Sequence, residues 1–435
     1  MLNFIYTFLC NSLYSNTQIT PKTLNNNKII INTNNLYYID NPIQQSTSRY
    51  IIIIDIINTL YNKWTQHMHN IQPFYAIKCN PDYELLKRLV SLNVSFDCAS
   101  KTEISVIISI FNILNIDITK RNERMIYANP IKRESDIQYA LENGVYKLTV
   151  DCLSELQKIN KIDIDKKAEL FIRIKVCDNY SKIKLNKKFG IIISSNFTEI
   201  IELFEFINNN NMNLYGLSFH VGSSCNNINA YINAFNITTN IINKYTELYN
   251  KQIKCIDIGG GFLGSDSTTY NFSDISSGIT TLISVLTSKY PHIQFIAEPG
   301  RFFAEQTTIL VANIIGKKIE NNIYIYYIDE STYMGFNCIH NDHCSVFDIN
   351  FIIDTQFISA DNIPTTSLYK TQLNGCTCDS IDIINITTKY SKDDFLMFPE
   401  LNINDKLIID KFGAYTYSAG VEFNGISTPI KYYIN

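Results

Sequence analysis

Residues 73–82 read PFYAIKCNPD, with Lys78 closing a run of Phe74, Tyr75, Ala76 and Ile77. An aromatic and aliphatic run of this kind reads as a buried strand, where a lysine is rarely found without a partner. The bland explanation is that the strand ends there and the ammonium reaches water along its apolar stem. The alternative is a lysine held at a strand end to form a Schiff base with a carbonyl group. The stretch does not decide between them, but its neighbours do.

Further runs of the same character follow: VSFDCAS, RMIYANP, KLTVD, LFIRI, YGLSFHVGS, CIDIGGG and QFIAEPG. Between them lie segments with apolar residues at helical spacing, among them YELLKRLVSL, TEISVIISIF, FTEIIELFEFI and ITTLISVLTSKY. Strand and helix alternating eight times over residues 51–305 predict an α/β fold of the (β/α)8 barrel type. The strand ends then carry, in order, Lys78, Asp97, Asn129, Asp151, Arg173, His220, the run Gly259-Gly260-Gly261, and Glu298 with Arg301. Singly each has an ordinary explanation: Asp97 could cap a helix, His220 could be a satisfied core histidine, Arg173 could close an ion pair. All of them on the face where barrels place their chemistry make that reading untenable.

The glycine run leaves backbone N–H groups free to cradle an anion, and Arg301 can add a bidentate clamp. It is neither a Walker loop nor a dinucleotide fingerprint, because the required spacings are missing. A phosphate site opposite a strand-end lysine points to pyridoxal phosphate, with Glu298 placed to keep the pyridine nitrogen protonated. His220 could then stack on the ring, with Ser223 beyond it as a phosphate donor.

The chain has 435 residues, 46% hydrophobic and 18% charged, with a net charge of −4. Nothing in that balance marks a nucleic-acid or anionic-membrane binder. The 11 cysteines are scattered, which fits a reducing, cytoplasmic setting, and none has the paired spacing of a zinc site, so no metal is expected. No run approaches a transmembrane length, and MLNFIYTFLCNSLYSN lacks the basic start and cleavage site of a signal peptide. Residues 306–435 change to short strands without helices: TTILVANIIGKKI, IYIYYIDES, CDSIDIINI, DKLIIDKFGAYT and PIKYYIN. They predict a β-sandwich or β-barrel domain, joined by strands in NKIIINTNNLYYID from the segment 1–50.

The ordered motifs PFYAIKCN, FDCASKTEI, MIYANPIK, SFHVGSSC, DIGGGF, AEPGRFF, FNCIHNDH, GCTCDSID and GAYTYSAGVEFNG resemble the eukaryotic-type ornithine decarboxylases. Those enzymes depend on pyridoxal phosphate and have an alanine-racemase-like barrel with a C-terminal β domain. The resemblance implies that Lys78 is the Schiff-base lysine, Glu298 the partner of the pyridine nitrogen and His220 the residue stacked on the ring. It implies phosphate ligands in Ser223, Gly260, Gly261, Gly300, Arg301 and Tyr415, with Asp97, Glu103 and Arg173 around the lysine and ring. Cys378 matches the residue that reprotonates the α-carbon after CO2 leaves. Asp342 and Asp379 match the acids that bind the distal ammonium, with Tyr333 and Phe423 beside the substrate. The loop bearing Cys378 and Asp379 is expected to enter the pocket of a partner subunit, giving a homodimer with shared sites. A regulator of the antizyme type is a further expected partner.

Asn341 stands where relatives have tyrosine, Cys376 where they have proline, Ser380 where they have glycine, and ESTYMG where they commonly have DGVYGS. These departures bear on pocket volume, so lysine or arginine decarboxylation remains the rival to ornithine. Diaminopimelate would want a cation for its second carboxylate, and a racemase would have no use for the distal acids. An inactive regulatory homologue would have shed cofactor ligands, yet Lys78, Glu298, Arg301 and Cys378 are all present.

Overall fold

A computed structural model describes residues 28–33, 35–40 and 47–434 apart from 268, 345, 393 and 394. Its centre is a closed barrel of parallel strands: β1 (Ile71–Ala76), β2 (Ser95–Cys98), β3 (Met125–Tyr127), β4 (Lys147–Val150), β5 (Glu169–Ile174), β6 (Asn213–Phe219), β7 (Cys255–Asp257) and β8 (Gln294–Ala297). Each strand pairs in parallel with the next, and β8 returns to β1. The expected helices lie between the strands, from Tyr83–Ser91 to Phe272–Lys289. Sequence reading missed helix Ile56–His67, which precedes β1 and puts the one tryptophan, Trp64, edge-on to Phe262 and Phe302.

Alternation along the strands sorts the residues. Phe74, Ile126, Phe171 and Cys255, from β1, β3, β5 and β7, cluster with Ile296 inside the barrel, a layer built largely by odd-numbered strands. Their neighbours Tyr75, Ile172 and Ile256 belong to the outer core beneath the helices. Because side chains two apart share a face, Arg173 and Asp257 follow Phe171 and Cys255 inward. The same count turns Asp97 inward between Phe96 and Cys98 of the outer core. The mouth of the barrel is therefore polar because the strand pattern makes it so.

One detail differs from expectation at the opening stretch. The strand stops at Ala76, and Lys78 sits on a single 3-10 turn, Ile77–Cys79. Beyond β1 the chain is clamped sideways: Ala76 donates to Pro299 O, and Cys79 O accepts from Tyr415 N at 2.9 Å.

After Thr307 the chain builds a mixed sheet in the order Gln356–Ile358, Ile349–Ile353, Lys406–Ile409, Thr308–Glu320, Ile323–Ile328, Tyr369–Asn374, Leu396–Phe398. Arg49–Ile53 joins it between Thr308–Glu320 and Ile430–Ile434. Lys28–Thr33 and Asn35–Asp40 pair with each other as a separate antiparallel hairpin. The signal-peptide question falls on residues 1–16, outside the described residues. CDSIDIINI, expected as a strand, is not one. The strand is Tyr369–Asn374, and the following segment is a turn wrapped around the Asp382 carboxylate. Ser331 Oγ, Thr332 N, Thr332 Oγ1, Thr377 N and Thr377 Oγ1 all donate to that group at 2.7–3.1 Å. A Cβ at Gly375 would lie 2.2 Å from it, so only glycine lets the chain pass.

Candidate active site

Lys78 Nζ donates to Asp97 Oδ2 at 2.9 Å. The lysine side chain is 48% exposed while the Asp97 side chain is 1% exposed, so the ammonium faces the open mouth and its counter-ion lies in the barrel wall. Burial alone would pull the Lys78 pKa down, but Asp97, Tyr415 and Glu298 together push it above the ordinary lysine value. Asp97 Oδ1 is buried without a hydrogen-bond partner among the described residues, so one lone-pair face of this carboxylate remains for another group.

Glu298, one residue past β8, is raised by burial first and then by Asp97, against the pull of Lys78 and Arg173. Asp257, wholly buried at the end of β7, is raised by burial and by Glu298. Its Oδ1 accepts from Gly259 N at 2.8 Å. Its Oδ2 is buried without a hydrogen-bond partner among the described residues, and the nearby Glu298 carboxyl favours the protonated form of Asp257. Asp257 stands at a strand end just as Asp97 does, and that signal in DIGGG was there to be read.

His220 follows β6, and its Nδ1 accepts from Gly222 N at 3.0 Å, which leaves any ring proton on Nε2. Burial, then Arg173 and Lys78, hold it far below the usual histidine range, so the ring is neutral. The glycine run packs against it. A Cβ on Gly260 would come within 2.8 Å of both His220 Nε2 and Glu298 O, and one on Gly259 within 2.2 Å of Phe219 O. Gly259 and Gly261 have φ of +66° and +111°, which side-chain-bearing residues rarely adopt. Ser223 lies on a short strand, Ser223–Cys225, paired antiparallel with Ser181–Ile183. Glu103 Oε2 accepts from Ala99 N at 2.5 Å, and its pKa is pushed up to about 7, chiefly by burial.

Arg301 is buried between Asp342, with which it forms an ion pair, and Glu305 at 3.5 Å, with its cation 5.4 Å from the centre of the Tyr415 ring. Gly300 lies under the Tyr415 hydroxyl, 3.3 Å from where a Cβ would be. Asp342 thus belongs to the barrel mouth. Asp379, on the loop expected to enter a partner subunit's pocket, bonds Tyr333 rather than any group of its own chain's mouth. Its Oδ2 accepts from the Tyr333 hydroxyl at 2.5 Å, and Tyr333 stacks on Phe423. Cys378 is exposed next to it, its N–H donating to Asn424 Oδ1 at 3.0 Å. The expected residues therefore fall into two groups, one around Lys78 and one around Asp379, because the loops that bear the acids hang from different strands of the β region. Asn129 and Asp151 serve the barrel rim, bonding Ala99 O and Gly190 N. A surface groove of about 770 Å³ between residues 192–197 and helix Asn229–Tyr249 holds none of these residues, so chemistry rather than volume marks the site.

The pyridoxal binding domain model of the pyridoxal-dependent decarboxylases matches residues 54–305. The chain is 33% identical over 403 residues to the probable ornithine decarboxylase of Dictyostelium discoideum, covering 89% of this chain and 79% of that protein. This chain belongs to the eukaryotic-type ornithine decarboxylase family. Family membership also brings in a regulatory relative, antizyme inhibitor 2 of Xenopus laevis, 31% identical over 90% of this chain and 83% of that protein. The arginine decarboxylase of Paramecium bursaria Chlorella virus superposes with a TM-score of 0.78 at 31% identity, over 90% of this chain and 96% of that one. The family's fold, a barrel with a β domain, is the one described above, and its cofactor is pyridoxal phosphate. The donor set fits that cofactor: an amine facing the mouth, a buried carboxyl pair, a neutral imidazole and a glycine cradle with no room for a Cβ. The protein is a pyridoxal-phosphate-dependent decarboxylase. Among the described residues no helix is long and apolar enough to cross a membrane, and no cluster of side chains suits a metal ion.

Proposed function

We propose that the chain decarboxylates L-ornithine to putrescine and CO2, a step of polyamine biosynthesis, as a homodimer with two shared sites. The observation that carries this is the Lys78–Asp97 pair at 2.9 Å in a mouth that also holds Glu298, Arg173, His220 and Asp342. When bound, pyridoxal phosphate supplies the electron sink for the pair left on the α-carbon. Lys78 would anchor it, and Glu298, backed by Asp257, would hold a proton at the pyridine nitrogen. His220, being neutral, would lie against the ring without adding a competing charge. Ser223, Gly260, Gly261, Gly300, Arg301 and Tyr415 would hold the phosphate.

Cys378 returns a proton to the α-carbon, and its exposure on a surface turn suits a loop that reaches another subunit. Asp379, on the same turn, would meet Asp342 of the other chain's mouth, and paired acids select a substrate with a distal cation. Aspartate at 342 favours the shorter diamine. The described cysteines are unbridged, in keeping with a cytoplasmic setting, and an antizyme-type regulator is the proposed macromolecular partner.

The test offers L-ornithine, L-lysine, L-arginine and meso-diaminopimelate in parallel and measures CO2 and amine. Putrescine as the main product, lost in Lys78→Ala and weakened in Asp342→Ala, supports the reading. A preference for lysine or arginine would move the assignment to those substrates and the cause to Asn341, Cys376 and Ser380. No turnover of any of the four would leave a regulatory role like that of the antizyme inhibitors.

A further inference from the structure

Residues 338–344 read CIHNDHC, a turn that carries Asp342 between two cysteines. The Cys338 carbonyl accepts the N–H of both Asp342 and Cys344, each at 3.0 Å. The bond from Cys344 folds the turn back on itself and sets the two cysteines side by side, and a disulfide can form where such neighbours bring their Cα atoms to about 4.4–6.8 Å. The two thiols are also near enough to shift each other's protonation in opposite directions.

We propose that Cys338 and Cys344 are a thiol–disulfide modification site, closed by a low-molecular-weight disulfide such as oxidised glutathione into a bridge across the Asp342 turn. The two cysteines divide the work. Cys344 is half-buried and reachable, whereas Cys338 is fully buried. The neighbouring Cys338 thiol, then Arg301 and Lys182, favour the thiolate of Cys344 against the opposing effects of burial and Asp342, while Cys344 and burial keep Cys338 protonated. Cys344 thiolate attacks one sulfur of the oxidant, breaks its S–S bond and releases one glutathione thiolate. Cys338 then loses its proton to solvent and attacks the Cys344 sulfur, forming the protein bridge and releasing the second glutathione. Two protein thiols are oxidised and one small disulfide is reduced to two thiols. The other buried cysteines among the described residues, Cys79, Cys98, Cys225 and Cys255, have thiols raised by burial and are out of reach.

The bridge holds the turn whose aspartate pairs with Arg301, so oxidation fixes a wall of the barrel mouth. The claim needs no decarboxylase activity to be tested. The cofactor-loaded native protein is incubated in glutathione buffers of graded oxidation, quenched by alkylation, and mapped by peptide mass. We expect the peptide with Cys338 and Cys344 to lose two hydrogens and escape alkylation, to recover both thiols with dithiothreitol, and to do so at least about ten times faster than any other pair bridges. In Cys344→Ser, Cys338 should stay a free thiol. Cofactor absorbance recorded alongside shows that each sample is folded. A stable glutathione adduct on Cys344 with Cys338 still free, or two alkylated thiols at every ratio, would overturn the proposal.

Discussion

The Tyr333 hydroxyl bonds Asp379 at 2.5 Å while its ring lies on Phe423, centroids 4.2 Å apart and planes within 14°. Tyrosine, aspartate and phenylalanine thus form one rigid unit, with Cys378 at its edge. The hydrogen bond holds the Asp379 carboxyl below its usual pKa and ready to meet a cation. Tyr333→Phe keeps the stack and frees the acid. Its KM for ornithine should rise about 3–10-fold with kcat nearly unchanged, since one charge-assisted hydrogen bond orients the acid. Steady-state kinetics check this, and a loss confined to kcat would contradict it.

Lys78 and Asp97 make the second prediction. Asp97→Asn removes the largest of the charges that raise the lysine, so the amine pKa must fall. The cofactor's visible absorbance, titrated with pH, should show its transition at lower pH than in the parent. The reaction rate should drop by roughly 10–100-fold, the range for losing a fixed charge in a low-dielectric site. An unchanged titration would mean that Asp97 does not set the lysine's charge.

Glu330 gives a stability test away from the chemistry. It is fully buried and accepts from Tyr50 Oη at 2.6 Å and from Ser331 N and Gly335 N at 3.0 Å. Burial nevertheless raises its pKa from 4.5 to about 7. A raised acid holds its proton longer in the folded state, so its contribution is full below pH 4.5 and is lost as pH rises through about 7. Glu330→Gln removes the titration. Its Tm relative to the parent should therefore improve between pH 5 and pH 8, by on the order of 2–3 kcal/mol of unfolding free energy. A pH-independent difference would refute the sign.

The barrel was legible because short apolar runs alternate eight times with segments of helical spacing, and the strand ends declare themselves by polar residues such as Asp97 and Arg173. What was not legible is what geometry alone decides. Nothing in PFYAIKC says that the strand stops at Ala76, since the backbone bonds from Tyr415 and to Pro299 that fix the turn come from hundreds of residues away. CDSIDIINI alternates like a strand, but Asp382 gathers five donors and bends it. The motifs assign Asp342 and Asp379 to one acid pair contributed by two subunits, and their division within the chain between barrel mouth and surface turn is a product of topology.

That division makes subunit mixing the most direct test of the account. If the amine of one chain works with the thiol of another, Lys78→Ala and Cys378→Ala proteins are each nearly inactive, yet mixed and re-equilibrated they should regain activity. Random pairing makes half the dimers mixed, each with one complete site, so about a quarter of parental activity should return. No gain, with mixed dimers shown to be present, would mean that Lys78 and Cys378 serve one site in a single chain, and the shared-site account would fail.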